Sequence, residues 1–260
     1  EALELALWLE ANRLGSLTIT PENFDAQREV VKEEKRQRYN NQPYGDVLKL
    51  LIAQHFAPEH PYGHLPIGSM ADLDSAELED VQKFFHAWYR PSNLRMVICG
   101  NVSAHRAIEL SQRHFGHIQD GARPEHRQAN GPLQERRTTV TRREVPHSLL
   151  YCSWPTPPAD HREHLALDLG LSILTDGHTS RLHRSLVREH RLAEEVTGGT
   201  LAHLRDSSVS MILARPSTAG GCPDAANALL EQIQEFLETG PSDEELERAK
   251  AQYEREWLLE

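Results

Sequence analysis

Apolar positions along the chain fall into helical spacing more often than into strict alternation. Leu5, Leu9 and Leu14, with Ala2 and Ala6, share one side of a helix over residues 1–15. Thr20-Pro21 opens a second helix over residues 21–40, since Thr suits the cap and Pro the first helical position. There Phe24, Gln27, Val31, Glu34 and Arg38 recur at spacings of three and four, and Phe24, Val30 and Val31 mark that stripe as the inward side. The stripe places a carboxylate, Glu34, toward the interior, where it needs a compensating charge or several donors. Arg38, four residues on and in the favourable Glu-to-Arg order, is one partner. A metal ion is the other, and the pattern alone favours the ion pair.

A third helix is expected from Asp46 to Phe56. After it, residues 57–70, rich in Pro and Gly, read as an ordered loop. Asp74 with Glu77 offers a capping box for a helix through Leu78, Val81, Phe85 and Trp88, which stops at Arg90-Pro91. Leu94–Cys99 reads as a strand and Ala104–Phe115 as a helix. The stretch Gln119–Glu135 has Gly, Pro and charge without periodicity and reads as a linker. Beyond it come strands at Thr138–Glu144 and Ser148–Trp154, helices at Arg162–Leu174 and Ser180–His190, and strands at Glu195–Ala202 and Ser208–Ala214. A helix at Pro223–Leu237 follows, then a last one carrying Leu246, Ala249, Tyr253 and Trp257 behind a Ser242/Glu245 capping box. The sum is an α+β fold, helices packed on mostly antiparallel strands in two consecutive units, residues 1–125 and 126–260.

Composition narrows the function. With 26% charged and 38% hydrophobic residues the chain suits a folded globular protein. No run of about 18 or more apolar residues is present, so no transmembrane helix is expected. The net charge of −11, without a basic block, argues against nucleic-acid binding. Cys99, Cys152 and Cys222 are far apart and form no C-x-x-C, so a cysteine zinc site is unsupported. The acidic first residues lack the features of a signal peptide, and neither end carries the expected cap or start. Both ends are therefore expected to be cut, the first unit at its N-terminal side and the second at its C-terminal side.

Five segments, in order, resemble the insulinase/pitrilysin-type zinc peptidases, the inverzincins, and most of all bacterial half-length members. They are ALELALWLEANRL, QREVVKEEKRQRYNNQPYG, HPYGHLPIGSMADLDSAELEDVQKFFHAWYRPSNLRMVICGNV, SWPTPPADHREHLALDLGLSILTDGHTSRLHRSLVREHRLA and GPSDEELERAKAQYEREWLLE. The resemblance implies paired α+β units and a zinc ion held by two histidines of an H-x-x-E-H motif and by a later glutamate. Aligned on Val30-Val31, that glutamate falls on Glu34, with Glu33 the alternative. The resemblance thus reverses the preference for a simple ion pair.

Two departures accompany the likeness. No H-x-x-E-H occurs in the 260 residues; His161-Arg-Glu-His164 is one residue short and reads as a surface helix face. The motif, expected roughly 75 residues before the ligand glutamate, would lie upstream of Glu1. No catalytic residue is therefore assigned within this segment. The resemblance also implies a substrate-holding Arg/Tyr pair: Arg188 matches the Arg, while Glu194 or Glu195 stands where the Tyr is expected. A carboxylate cannot donate a hydrogen bond as a phenol can. His55, His60 and His64 cluster around one loop, and loop packing is favoured there over a metal site. The reading is a fragment of a zinc endopeptidase, inactive alone, that acts with Zn2+ on peptides or unfolded polypeptides in an enclosed chamber. It would work as a homodimer or as a heterodimer with a related subunit, and the resemblance suggests a bacterial periplasm or envelope. The alternative is a non-catalytic partner or scaffold subunit.

Overall fold

The computed structural model describes residues 2–121, 131–133, 135–218 and 221–259. Much of the expected linker, Gln119–Glu135, lies outside the described residues. In chain order the helices are α1 (Ala2–Gly15), α2 (Pro21–Lys35), α3 (Val47–His55), α4 (Met70–Ser75), α5 (Leu78–Trp88) and α6 (Ala104–Phe115). Then come β1 (Leu150–Thr156), α7 (His164–Thr175), β2 (Ala193–Leu201), β3 (Ser208–Pro216), α8 (Gly221–Thr239) and α9 (Asp243–Leu259). Two π-helical turns, Arg36–Asn40 and His183–Glu189, interrupt the series. The chain divides into two compact units: residues 1–40 with 66–128, and residues 41–65 with 129–260. The segment carrying α3 thus leaves the first unit's sequence and folds with the second.

In the first unit α1 packs on α6, burying Leu7, Ala11 and Leu14 on one side and Leu110 on the other. Glu4 adds charge pairing, 2.8 Å from Arg113 and 3.5 Å from Arg106. The capping boxes differ from the expected Asp74/Glu77. Ser69 and Asp72 cap α4 reciprocally at 3.0 Å each, and Asp80 accepts the Glu77 N–H at 3.2 Å ahead of α5. Asp74 is instead 2.7 Å from Lys32, a partner that local spacing cannot show. Leu94–Cys99 also differs: it joins no ladder among the described residues, which offer it no neighbouring strand in this unit. Leu94, Met96 and Val97 are accordingly exposed.

The second unit holds the antiparallel sheet, in the order β1-β3-β2. The central strand β3 buries Ile212 and Ala214 fully on one face and Val209 on the other, where Met211 and Leu213 stay partly exposed. On the helix-facing side, Val196, Ile212 and Ala214 meet Leu171 and Leu174 of α7, Leu182 and Leu186 near the second π-turn, and Leu229 of α8. This is the main core. The strand expected at Thr138–Glu144 is absent. Its side chains bind the segment around α3 instead: Gln54 donates to Thr139 Oγ1 at 2.8 Å, and Arg143 donates to Asp46 at 2.9 Å.

Candidate functional site

Helix α2 begins as its sequence dictates. Thr20 Oγ1 accepts the Asn23 N–H at 3.3 Å, Asn23 Oδ1 accepts the Thr20 N–H at 2.8 Å, and Pro21 takes the first helical position. The face it turns inward is shifted from the expected stripe. Phe24, Arg28, Val31, Lys32 and Lys35 are half-buried, whereas Gln27 and Val30 are exposed. The reason is snorkelling by long cationic stems. Arg28 lies 4.4 Å over the Phe24 ring and donates to Ala76 O at 2.5 Å; Lys35 donates to Gly68 O at 2.7 Å. Three cations fasten α2 to the segment that carries α4.

Glu34 sits at the edge of that face, half-buried, with 39% of its side chain exposed. Its Oε1 is 3.0 Å from Arg38 Nη1, the ion pair that the spacing offers. Arg38 belongs to the π-turn that continues α2, a geometry frequent at functional sites. Glu33 is exposed; hydrogen bonds from Gln37 first, and then from Arg36, hold its carboxyl below the usual range. Among the described residues no three His, Cys, Asp or Glu side chains gather as a metal site.

Arg188 is exposed on the turn His183–Glu189 and has no ion-pair or hydrogen-bond partner among the described residues. The structure does not bring Glu194 and Glu195 to it. Both lie by Arg215 across the β2–β3 pair: Glu194 Oε2 is 3.0 Å from Nε but off the N–H direction, so the contact is ionic without a hydrogen bond, and Glu195 is at 3.8 Å.

Of the three loop histidines, His55 and His60 are buried and packed, whereas His64 is exposed. His55 is buried with Nε2 2.8 Å from Ser153 Oγ, and burial pushes its pKa down. His60 stacks on Phe56. His164 corrects the expectation of a surface helix face: it is 8% exposed, its Nδ1 is 2.8 Å from Pro157 O, and its Nε2 is 3.3 Å from Asp168. Asp168 in turn accepts from Thr200 Oγ1 at 2.7 Å, and the contacts continue through Ser210 Oγ (2.9 Å) to Thr156 Oγ1 (3.2 Å). Because a carboxylate only accepts, every hydroxyl in this chain points its hydrogen toward Asp168. The alternation of Thr200 and Ser210 with apolar neighbours is the signal in the sequence that could have found it.

The sequence pattern of the peptidase M16 inactive domain matches residues 75–253. A Helicobacter pylori protein described as zinc protease PqqE is 31% identical over 241 residues, which is 91% of this chain and 53% of that protein. The chain therefore spans about half the length of that relative. The crystal structure of a protease from Helicobacter pylori superposes with a TM-score of 0.85 and 25% identity, over 98% of this chain and 62% of the other. A peptidase M16 inactive domain from Pseudomonas fluorescens shares the fold, with a TM-score of 0.80 and 20% identity over 96% of this chain and 60% of its own.

Proposed function

The chain belongs to the peptidase M16 family, and from that premise we propose that it is part of a zinc-dependent endopeptidase acting on peptides or unfolded polypeptides in an enclosed chamber. The observation that carries this reading is likeness to a protein named a zinc protease along 91% of the chain. Glu34 lies outside the matched residues 75–253 and is proposed as one zinc ligand. Arg188 lies inside them and is proposed to hold substrate.

The residues present do not by themselves fit a zinc centre. Among the described residues no set of three donors converges, and a single carboxylate cannot hold catalytic zinc at useful affinity. No hydrolytic step is derived from this segment, and alone it is expected to be inactive. The histidines and the general-base glutamate would come from residues outside these 260. A periplasmic location and a dimer or paired related subunit complete the proposal.

The inactive-domain match supports a second reading, a non-catalytic scaffold subunit. The two are separated by giving the full-length protein an unfolded polypeptide with and without a zinc chelator. Chelator-sensitive cleavage is expected of the peptidase. Absence of cleavage, together with a degenerate string where H-x-x-E-H is expected, supports the scaffold.

A further inference from the structure

Residues 56–63 fold as two successive turns in the second unit. The His60 N–H donates to Ala57 O at 3.0 Å, and the Gly63 N–H donates to His60 O at 2.7 Å. Pro61 stands second in the latter turn, where its fixed φ fits, and Gly63 stands fourth. A Cβ on Gly63 would lie 2.1 Å from Ala57 O, so the backbone can close this tightly only with glycine there.

The His60 ring is locked into this loop. Its centroid is 4.6 Å from that of Phe56, and its side chain is 3% exposed. Nδ1 accepts the Tyr62 N–H at 3.0 Å. A backbone N–H can only donate, so Nδ1 is the bare nitrogen and Nε2 carries the hydrogen. Nε2 is sealed from solvent without a hydrogen-bond partner among the described residues, and Asp206 Oδ2 at 3.8 Å is beyond reach.

We propose that residues 57–63 are an acid-sensitive latch on the second unit, held shut by neutral His60 and released when the ring takes a proton at Nδ1. That nitrogen is the only one able to accept a proton, and it is the atom that holds the Tyr62 amide. Protonation turns the acceptor into a second donor facing an N–H, inside a site walled by Phe56 and Tyr62.

The titratable and charged groups facing His60 are Tyr62 of its own loop and His203 and Asp206 of the turn between β2 and β3. His203 stacks on Tyr62 with centroids 3.9 Å apart and keeps its Nδ1 2.9 Å from Ser207 O. Burial, the largest influence, holds the His60 pKa below the ordinary histidine value; Asp206 opposes this and His203 adds to it. The folded pKa is thus below the released one. Opening takes up one proton, so the latch is firm above about pH 6.5 and weakens by about tenfold per pH unit below it, down to the folded pKa.

The latch stands independently of the peptidase reading, and hydrogen exchange at the Tyr62 and Gly63 amides tests it between about pH 7.5 and 5.5, corrected for intrinsic rates. Protection in the wild type is expected to fall about tenfold per unit below about pH 6.5. In His60→Asn, whose Oδ1 can accept the Tyr62 N–H but cannot be protonated, it is expected to be flat, whatever its starting level. His203→Asn is expected to keep the wild-type slope. A flat wild-type profile, or a wild-type slope in His60→Asn, overturns the proposal. Ring nitrogen-15 shifts of His60 give a test without a variant: a hydrogen on Nδ1 at neutral pH contradicts it.

Discussion

Arg181 and Glu245 form a two-point ion pair in the second unit, with Nε 2.8 Å from Oε1 and Nη2 2.7 Å from Oε2. Their side chains are 14% and 13% exposed. Arg181 also donates to Gly240 O at 2.9 Å and lies 5.0 Å over the Phe236 ring. Glu245 accepts the Ser242 N–H at 2.9 Å, so one carboxylate both caps α9 and binds it to the stretch before the second π-turn. Glu245→Gln leaves the buried guanidinium without its counter-charge and is expected to cost about 3–5 kcal/mol in denaturant unfolding. Adding Arg181→Met is expected to restore part of the loss, because no unpaired charge then remains.

The same pair sets an acid limit. Arg181 holds the Glu245 carboxyl down to about 2, from an ordinary 4.5, with further help from Ser242. A depressed folded pKa means that stability is full above the unfolded value and is lost as pH falls through the folded one. The window therefore runs from about pH 4.5 to about pH 2, and the loss is roughly 3 kcal/mol. Unfolding measured against pH is expected to drop across that window in the wild type and to be shallower in Glu245→Gln.

Gly198 of β2 sits directly under Thr175 of α7. A Cβ at Gly198 would lie 2.6 Å from Thr175 Oγ1 and 2.7 Å from its Cγ2, so α7 can pack this close only over a glycine. Gly198→Ala is expected to destabilise by about 1–3 kcal/mol through overpacking. Thr175→Ala in the same chain removes the two nearest of the clashing atoms and leaves Cβ at 2.9 Å, so the double variant is expected to recover part of the loss and to be more stable than the two single effects sum to, as read from a denaturant cycle.

Asp168 orients the hydroxyls of Thr200, Ser210 and Thr156. Asp168→Ala removes their terminal acceptor and leaves the Thr200 hydroxyl without its 2.7 Å partner. The expected loss is about 1–3 kcal/mol, and about half of that for Asp168→Asn, whose carbonyl can still accept. Equal losses in chemical denaturation would count against a directed chain.

The longer helices were legible in the sequence because a cap such as Thr20-Pro21 or Ser242/Glu245, or a spaced apolar face, announces them locally; α4, only six residues long and next to the Pro- and Gly-rich stretch read as a loop, was not. β2 and β3 were legible as alternating runs. Leu94–Cys99 and Thr138–Glu144 were not read correctly, because a strand exists only with a neighbour, and composition says nothing about where that neighbour is. Around the candidate site, the spacing revealed the Glu34–Arg38 pair. It did not reveal the cationic face of α2, which depends on backbone carbonyls of Gly68 and Ala76, far along the chain. Likewise Glu245 was visible as a cap, but its partner lies 64 residues away. His164 was visible as a histidine and hidden as a buried one, since burial is a property of the whole unit.

Zinc per chain, measured by elemental analysis of the full-length protein, tests most directly the proposal that Glu34 is a zinc ligand. Glu34→Gln is expected to lose at least about tenfold in zinc affinity. Glu33→Gln, which alters an exposed carboxylate, and Arg38→Ala, which removes only the ion-pair partner, are expected to keep wild-type zinc. Full zinc occupancy and unchanged peptidase activity in Glu34→Gln would remove Glu34 from the zinc site.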